Sequence, residues 1–202
     1  MDRAGVAKKT KEQLEKLRGK HFNRIVYKEY AIELINGINP ETRDCAEISG
    51  NLGKKFSFKS YDAYHFPDYD VCRAPFQNED GDLLTFDMII ADQVWEHLDR
   101  PYKATQNVYS MLNDGGYFYI CVPFFVRYHL YPVDCSRWSA RGLKNLLIEG
   151  GFDEAKIHSD QWGNLDCARK ESGKRFARFN PDTDNLRNDP DFPVVAWALA
   201  QK

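Results

Sequence analysis

Long apolar runs are missing from this 202-residue chain. None approaches the roughly 20 consecutive apolar residues that a membrane span requires. Charge of one sign is also missing: 28 Lys and Arg stand against 30 Asp and Glu, for a net charge of -2. Nothing in that balance draws the chain to nucleic acid or to an anionic membrane. Cysteine is scarce and unpatterned, with five residues at 45, 72, 121, 135 and 167 and no CxxC pair. That fits reduced thiols in the cytoplasm better than a disulfide framework or a zinc site. The start, Met1-Asp2-Arg3 running into Lys8, Lys9 and Lys11, reads as lacking a secretory signal. HExxH, GxSxG, GxxxxGK[ST] and GxGxxG motifs do not occur. Their absence speaks against zinc peptidase, serine hydrolase, P-loop and dinucleotide-dependent oxidoreductase chemistry. Aromatic residues, by contrast, are plentiful at 14%. Seven fall between Phe56 and Phe76, and eight between Tyr117 and Trp138.

Thr10-Lys-Glu-Gln13 reads as a capping box that opens a helix ending near Gly19. A second helix is expected over about Asn23 to Asn36, with Ile25, Val26, Ile32 and Ile35 on its apolar stripe and Gly37 and Pro40 beyond it. Strand patterns follow at Cys45–Ile48, Phe56–Tyr61, Tyr69–Cys72, Thr85–Ala91 and Tyr117–Val122, with last strands near Lys156–His158 and Val194–Ala200. A helix is expected from Arg100 to Leu112 with Asp99 as its cap, and another after Ser139 carrying Leu143, Leu146 and Leu147. The stretch from Asp160 to Pro193 is polar and rich in turn residues. Strands alternating with helices predict an α/β fold, one doubly wound, mostly parallel sheet ending in an antiparallel hairpin. The chain reads as a single domain over 1–202. Residues 1–40 form a helical cap, 42–202 a Rossmann-like core, and 160–193 a polar insertion.

Ligands in such sheets sit beyond the carboxyl ends of the strands. Glu47-Ile-Ser49-Gly50-Asn51-Leu-Gly53 is a small-residue turn there, which lets backbone N–H groups approach a ligand. Asp62 ends the next strand, where a carboxylate can take both hydroxyls of a ribose. Asp70 follows eight positions later, where an adenine ring would lie. Asp92-Gln93 and Glu96-His97 follow the strand Thr85–Ala91.

Phe86-Asp87-Met-Ile-Ile-Ala-Asp-Gln-Val-Trp-Glu96-His97 resembles the "FD-hydrophobic-…-LEH" segment of small Rossmann-fold, class I S-adenosylmethionine-dependent methyltransferases of the sugar and natural-product type. Leu112-Asn-Asp-Gly115-Gly116 resembles the "LKPGG" turn of that family. Pro132-Val-Asp134-Cys-Ser-Arg137-Trp138-Ser139 with Gly151-Phe152, and Pro193–Ala200, resemble its C-terminal segments. The likeness runs over about residues 42–202. It departs from the family in the first motif, E-x-G-x-G-x-G, where Ser49 and Asn51 hold the first two glycine positions and only Gly53 matches. Only Lys54-Lys55 separates Gly53 from the next strand, so the helix expected there is missing or very short.

The resemblance implies S-adenosyl-L-methionine as cofactor, held by Glu47, Ser49, Gly50, Asn51, Gly53, Asp62, Asp70, Val71, Asp92 and Gln93. It implies methyl transfer to a small acceptor, a hydroxyl of a sugar or glycoconjugate being the leading reading. His129 is the first candidate base and His97 the second. Tyr64, Tyr128, Tyr131, Asp134 and Arg137 are candidate substrate contacts, although Asp134 and Arg137 read first as a structural ion pair closing the loop. Nothing in the spacing requires a metal. The basic stretch Arg169, Lys170, Lys174, Arg175 and Arg178 reads either as a phosphate contact or as a solvated loop. A competing reading keeps the fold without the activity, as a binding or assembly subunit.

Overall fold

The computed structural model describes residues 9–128, 130–173 and 176–202. The Thr10 side chain accepts from the Gln13 amide and Gln13 returns a bond to the Thr10 amide, so the capping box forms. The helix it opens, α1 (Lys11–Glu15), is shorter than the sequence pattern implies. None of its residues is fully buried, and Leu14 alone packs partly against the core on the α2 side. α2 (Phe22–Asn36) buries Phe22, Ile25, Val26, Tyr27, Ala31 and Ile35. Ile32, expected on that stripe, stays 38% exposed. It lies one position past Ala31 and thus roughly 100° around the helix.

Six strands form one sheet in the order β2-β1-β3-β4-β6-β5. They are β1 (Asp44–Ile48), β2 (Ser60–Tyr64), β3 (Phe86–Asp92), β4 (Leu112–Pro123), β5 (Ile157–Trp162) and β6 (Val195–Gln201). β1 to β4 run parallel, and β6 runs antiparallel to both β4 and β5. On one face, Ile48, Ile89, Phe118 and Ala198 pack against α3 (Pro101–Met111) and α4 (Ala140–Glu149). On the other, Cys45, Met88, Tyr119 and Trp197 pack against α2 and Cys167 of α5 (Leu165–Gly173). The sheet is therefore doubly wound, as the alternating pattern implies. No described helix is long and apolar enough to cross a membrane.

Four local expectations are corrected. The strand expected at Phe56–Tyr61 pairs only from Ser60 to Tyr64. Phe56 and Phe58 instead pack on the α2 side, after a 3₁₀ turn at Gly53–Lys55 that replaces the crossover helix. The alternation there marks packing of a loop, not a ladder. Tyr69–Cys72 is a turn, drawn together by the Cys72 amide donating to Asp70 Oδ1 at 2.9 Å. α3 is capped at Arg100 rather than Asp99, with Pro101 at its first position. The stretch 160–193 contributes the end of β5, α5, and core residues Trp162, Cys167, Phe179 and Leu186. Its apolar residues are too far apart in sequence to show a period, and they become core only when the segment folds over α2.

Candidate active site at the ends of β1 and β3

From β1 the chain moves outward to β2 and then back across to β3, so the topological switch lies between β1 and β3. A crevice beyond their carboxyl ends is the expected ligand site. Each of these strands is followed by a non-glycine residue in the left-handed region: Ser49 (φ 54°) after β1 and Gln93 (φ 61°) after β3. Such strained positions concentrate at functional sites. The Ser49 amide donates to the Tyr64 carbonyl at 2.9 Å and the Gln93 amide to the Cys121 carbonyl at 2.8 Å, which fixes both turns.

Glu47 is wholly buried, and its carboxylate is folded beneath the turn it precedes. Oε1 accepts from the Leu52 amide at 2.7 Å. Oε2 accepts from the Gly53 amide at 2.7 Å and from the Tyr61 hydroxyl at 2.6 Å. This geometry sets which residues the turn tolerates. A Cβ on Gly50 would come within 2.2 Å of Glu47 Oε1, and one on Gly53 within 2.2 Å of the Tyr61 ring. The loop that departs from the family motif at Ser49 and Asn51 keeps glycine at both crowded positions.

Asp92, two ladder steps beyond the Glu47↔Ile90 pair, ends β3 on the α2 side. Its Oδ1 is buried without a hydrogen-bond partner among the described residues. Burial pushes this carboxyl upward, opposed by Lys28 and Arg24 on α2. The Tyr27 hydroxyl, itself held protonated by burial and by Asp92, lies close without a well-formed bond. Arg24, Tyr27 and Lys28 were missed in the sequence. Their i, i+3, i+4 spacing places them on one helix face, but nothing local says that this face meets the end of β3.

Glu96, in a 3₁₀ turn at Trp95–His97, is a second buried carboxyl near Asp92. Burial, with Asp92 adding to it, raises its pKa to about 8. An unfolded chain would ionise this group near 4.5. Between those values the folded protein retains a proton that the unfolded chain has lost, so the group's contribution to stability falls as pH rises through that window. Gln is isosteric with the protonated acid. Glu96→Gln is therefore expected to melt several degrees above the parent at pH 8, on the order of 2 kcal/mol, and level with it at pH 4. Melts at the two pH values check this; equal gains at both would refute it.

The other expected site residues are distributed as follows. Asp62 lies inside β2, exposed and two residues short of the strand end, so the strand-end position expected for it is corrected. Asp70 and Val71 lie in the turn that Asn107 of α3 anchors, through a 2.7 Å bond from its side-chain amide to the Val71 carbonyl. Asn51 is exposed at the loop tip. The half-buried Tyr64 ring is packed among Tyr69, Phe76 and Phe86 at 4.8, 5.0 and 5.6 Å. Tyr128 and Tyr131 are exposed, at 71% and 86%. Asp134 and Arg137 form a two-pronged ion pair, with Arg137 Nη2 to Asp134 Oδ2 at 2.7 Å, and so close the loop on themselves. His97 donates from Nδ1 to the Val133 carbonyl, and its Nε2 faces Glu96 Oε1 at 3.8 Å. His129, Lys174 and Arg175 lie outside the described residues. Among the described residues no three metal-binding side chains converge.

Residues 38–120, from before β1 to within β4, match the family model described as a methyltransferase domain. Solved structures agree in architecture. A methyltransferase dependent on S-adenosylmethionine from Clostridium acetobutylicum is 10% identical with a TM-score of 0.54, covering 89% of this chain and 95% of that one. Another from Archaeoglobus fulgidus is 14% identical with a TM-score of 0.51, covering 87% and 94%. Phosphoethanolamine N-methyltransferase 2 from Haemonchus contortus, in complex with S-adenosyl-L-methionine, is 11% identical with a TM-score of 0.51, covering 86% and 52%. A search of curated proteins gives no match. The fold is that of an S-adenosylmethionine-dependent methyltransferase. In this methyltransferase fold the braced Glu47 turn follows β1, and Asp92 is the last residue of β3. The cofactor inferred from the sequence is the one these structures name.

Proposed function

We propose that the chain transfers a methyl group from S-adenosyl-L-methionine to a hydroxyl of a small acceptor, of the sugar or glycoconjugate kind. The observation that carries this reading is the Glu47-braced turn, facing a buried, unpartnered Asp92 oxygen across the β1–β3 switch point. The residues there fit the cofactor: a small-residue turn held in one shape from beneath by Glu47, too crowded at Gly50 and Gly53 for a Cβ, with Ser49 and Asn51 exposed at its tip. When bound, S-adenosyl-L-methionine supplies an electrophilic methyl on a sulfonium.

The protein's main contribution is alignment, which can supply about 7–11 kcal/mol in a bimolecular displacement. Ser49, Gly50, Asn51 and Gly53 form one wall, with Asp70 and Val71 on the loop that follows β2. Asp92 Oδ1 takes the acceptor's hydroxyl proton, the role assigned from sequence to histidine. Raised by burial, it is a stronger base than an exposed aspartate. His97 acts as a positioning residue, tying the 130–133 loop to the turn that carries Glu96. Tyr128 and Tyr131 offer exposed rings of the kind on which sugar rings pack. Five free cysteines, three of them buried, suit a cytoplasmic location.

Calorimetry with S-adenosyl-L-methionine tests the reading. Binding tighter than about 1 mM is expected, within the range of ordinary enzyme substrates. No heat at millimolar cofactor would favour the competing reading, a methyltransferase-like binding or assembly subunit.

A further inference from the structure

A cleft of about 500 Å³ opens beside the first turns of α2. That size is within the range of small-molecule sites. Its walls carry Lys20, His21, Arg24, Lys28, Lys55 and Arg178. The acid on the same walls, Glu29, is paired with Lys9 at 2.8 Å. Among the described residues none of the five Lys and Arg side chains has an ion-pair partner. Arg24 also interacts with the buried acids Asp92 and Glu171.

The cations are held together by backbone pairing. The segment 177–179 lies against 19–22 through Gly19 to Phe179, Phe22 to Ala177 and Phe179 to Lys20 bonds of 2.9, 2.9 and 3.0 Å. That pairing sets Arg178 across from His21. His21 Nδ1 is buried there without a hydrogen-bond partner among the described residues. Its imidazole is pushed down by burial and then by Arg24, Arg178 and Lys28. Converging like charges repel, and an anion among them relieves that repulsion. The N-terminus of α2 adds its own positive potential.

We propose that this cleft binds a phosphoryl group, and, resting on the methyltransferase reading above, that the group belongs to the acceptor. The cleft adjoins the candidate active site. Lys55 follows the Gly53 turn directly, and Lys28 acts on both Lys55 and Asp92. A phosphoryl group at Arg24 and Arg178 directs the rest of its molecule toward the ends of β1 and β3. The acceptor is then a phosphomonoester or a diphosphate. The basic stretch in the sequence contributes through Arg178, whereas Lys170 is occupied by Asp184 at 2.6 Å.

Calorimetry of the full chain with inorganic phosphate and with pyrophosphate tests the site and separates the two ester classes. Saturable binding of at least one is expected. Lys20→Gln and Arg178→Gln should each weaken it about tenfold, with unchanged melting temperature and with S-adenosyl-L-methionine affinity within about twofold. Lys55→Gln, on a different segment, is a second variant with the same expectation. In parallel, NMR titration should show the His21 pKa rising when pyrophosphate binds. Absent saturation, affinity indifferent to all three variants, or a static His21 would overturn the proposal. So would a single-stranded RNA oligomer that binds more tightly than pyrophosphate and loses affinity in the same variants, since the cleft would then serve a polynucleotide. Pyrophosphate binding without any cofactor binding supports the anion site and counts only against the methyltransferase reading.

Discussion

Glu47→Ala is expected to abolish detectable S-adenosyl-L-methionine binding and to lower the melting temperature by roughly 10 °C. The carboxylate is fully buried and accepts from Leu52, Gly53 and Tyr61 at 2.7, 2.7 and 2.6 Å. Removing it strands three donors, and each unsatisfied buried group costs about 1–3 kcal/mol. At about 2–4 °C per kcal/mol for a chain of this size, the loss is large but survivable. The turn then has no floor, and backbone groups that should meet the cofactor lose their fixed positions. Glu47→Gln separates shape from charge. Its amide fills the same volume but turns an N–H₂ toward a donor, so an intermediate melting temperature is expected. Tyr61→Phe removes only the phenol, and a smaller drop with cofactor binding retained is expected. Melting curves and cofactor calorimetry on the three variants check the ordering. A Glu47→Ala protein that binds cofactor like the parent would show that the turn is not the cofactor site.

Asp92→Asn is expected to reduce kcat by about 10²–10⁴-fold, the usual contribution of a positioned proton acceptor, while changing cofactor affinity only a few-fold. Asparagine keeps the size and one acceptor oxygen of the side chain but cannot take up a proton. In the parent, burial raises the Asp92 pKa while Lys28 and Arg24 hold it down. Activity should therefore climb with pH as this carboxyl ionises, and the variant should lose that acidic limb. Transfer of labelled methyl to a panel of phosphorylated sugars supplies the assay, using whichever member the parent methylates. A variant with a parental rate and an unchanged pH profile would place the proton acceptor elsewhere, with His129 the next residue to replace.

Legibility differed between the fold and the site. Buried parallel strands such as Phe86–Asp92 are visible as apolar runs, because both of their faces are covered and no polar alternation is needed. Ser139 and the leucines of α4 follow from capping and period, and all three leucines are buried. β2 was misplaced by several residues because Phe56 and Phe58 alternate like a strand while packing as a loop. Asp62 accordingly moved from a strand end to a strand interior. Tyr64 sits at the true end of β2 but spends its ring on Tyr69, Phe76 and Phe86. For a partly apolar residue, sequence gives composition but not direction.

The sequence alone determined the doubly wound α/β architecture, the central buried strands and the small-residue turn after β1. These depend on local period, capping and glycine placement, which short stretches of chain specify. Tertiary structure decided what surrounds the turn. Glu47 meets Tyr61 because parallel β1 and β2 align Cys45 with Tyr61 on one face. Asp92 is shielded and shifted because α2 lies over the end of β3. Arg178 joins Arg24 and Lys28, more than a hundred residues earlier, only through backbone pairing of 177–179 with 19–22. Burial and electrostatic contact depend on distance in space, and at these three places residues distant in sequence supply the groups that matter.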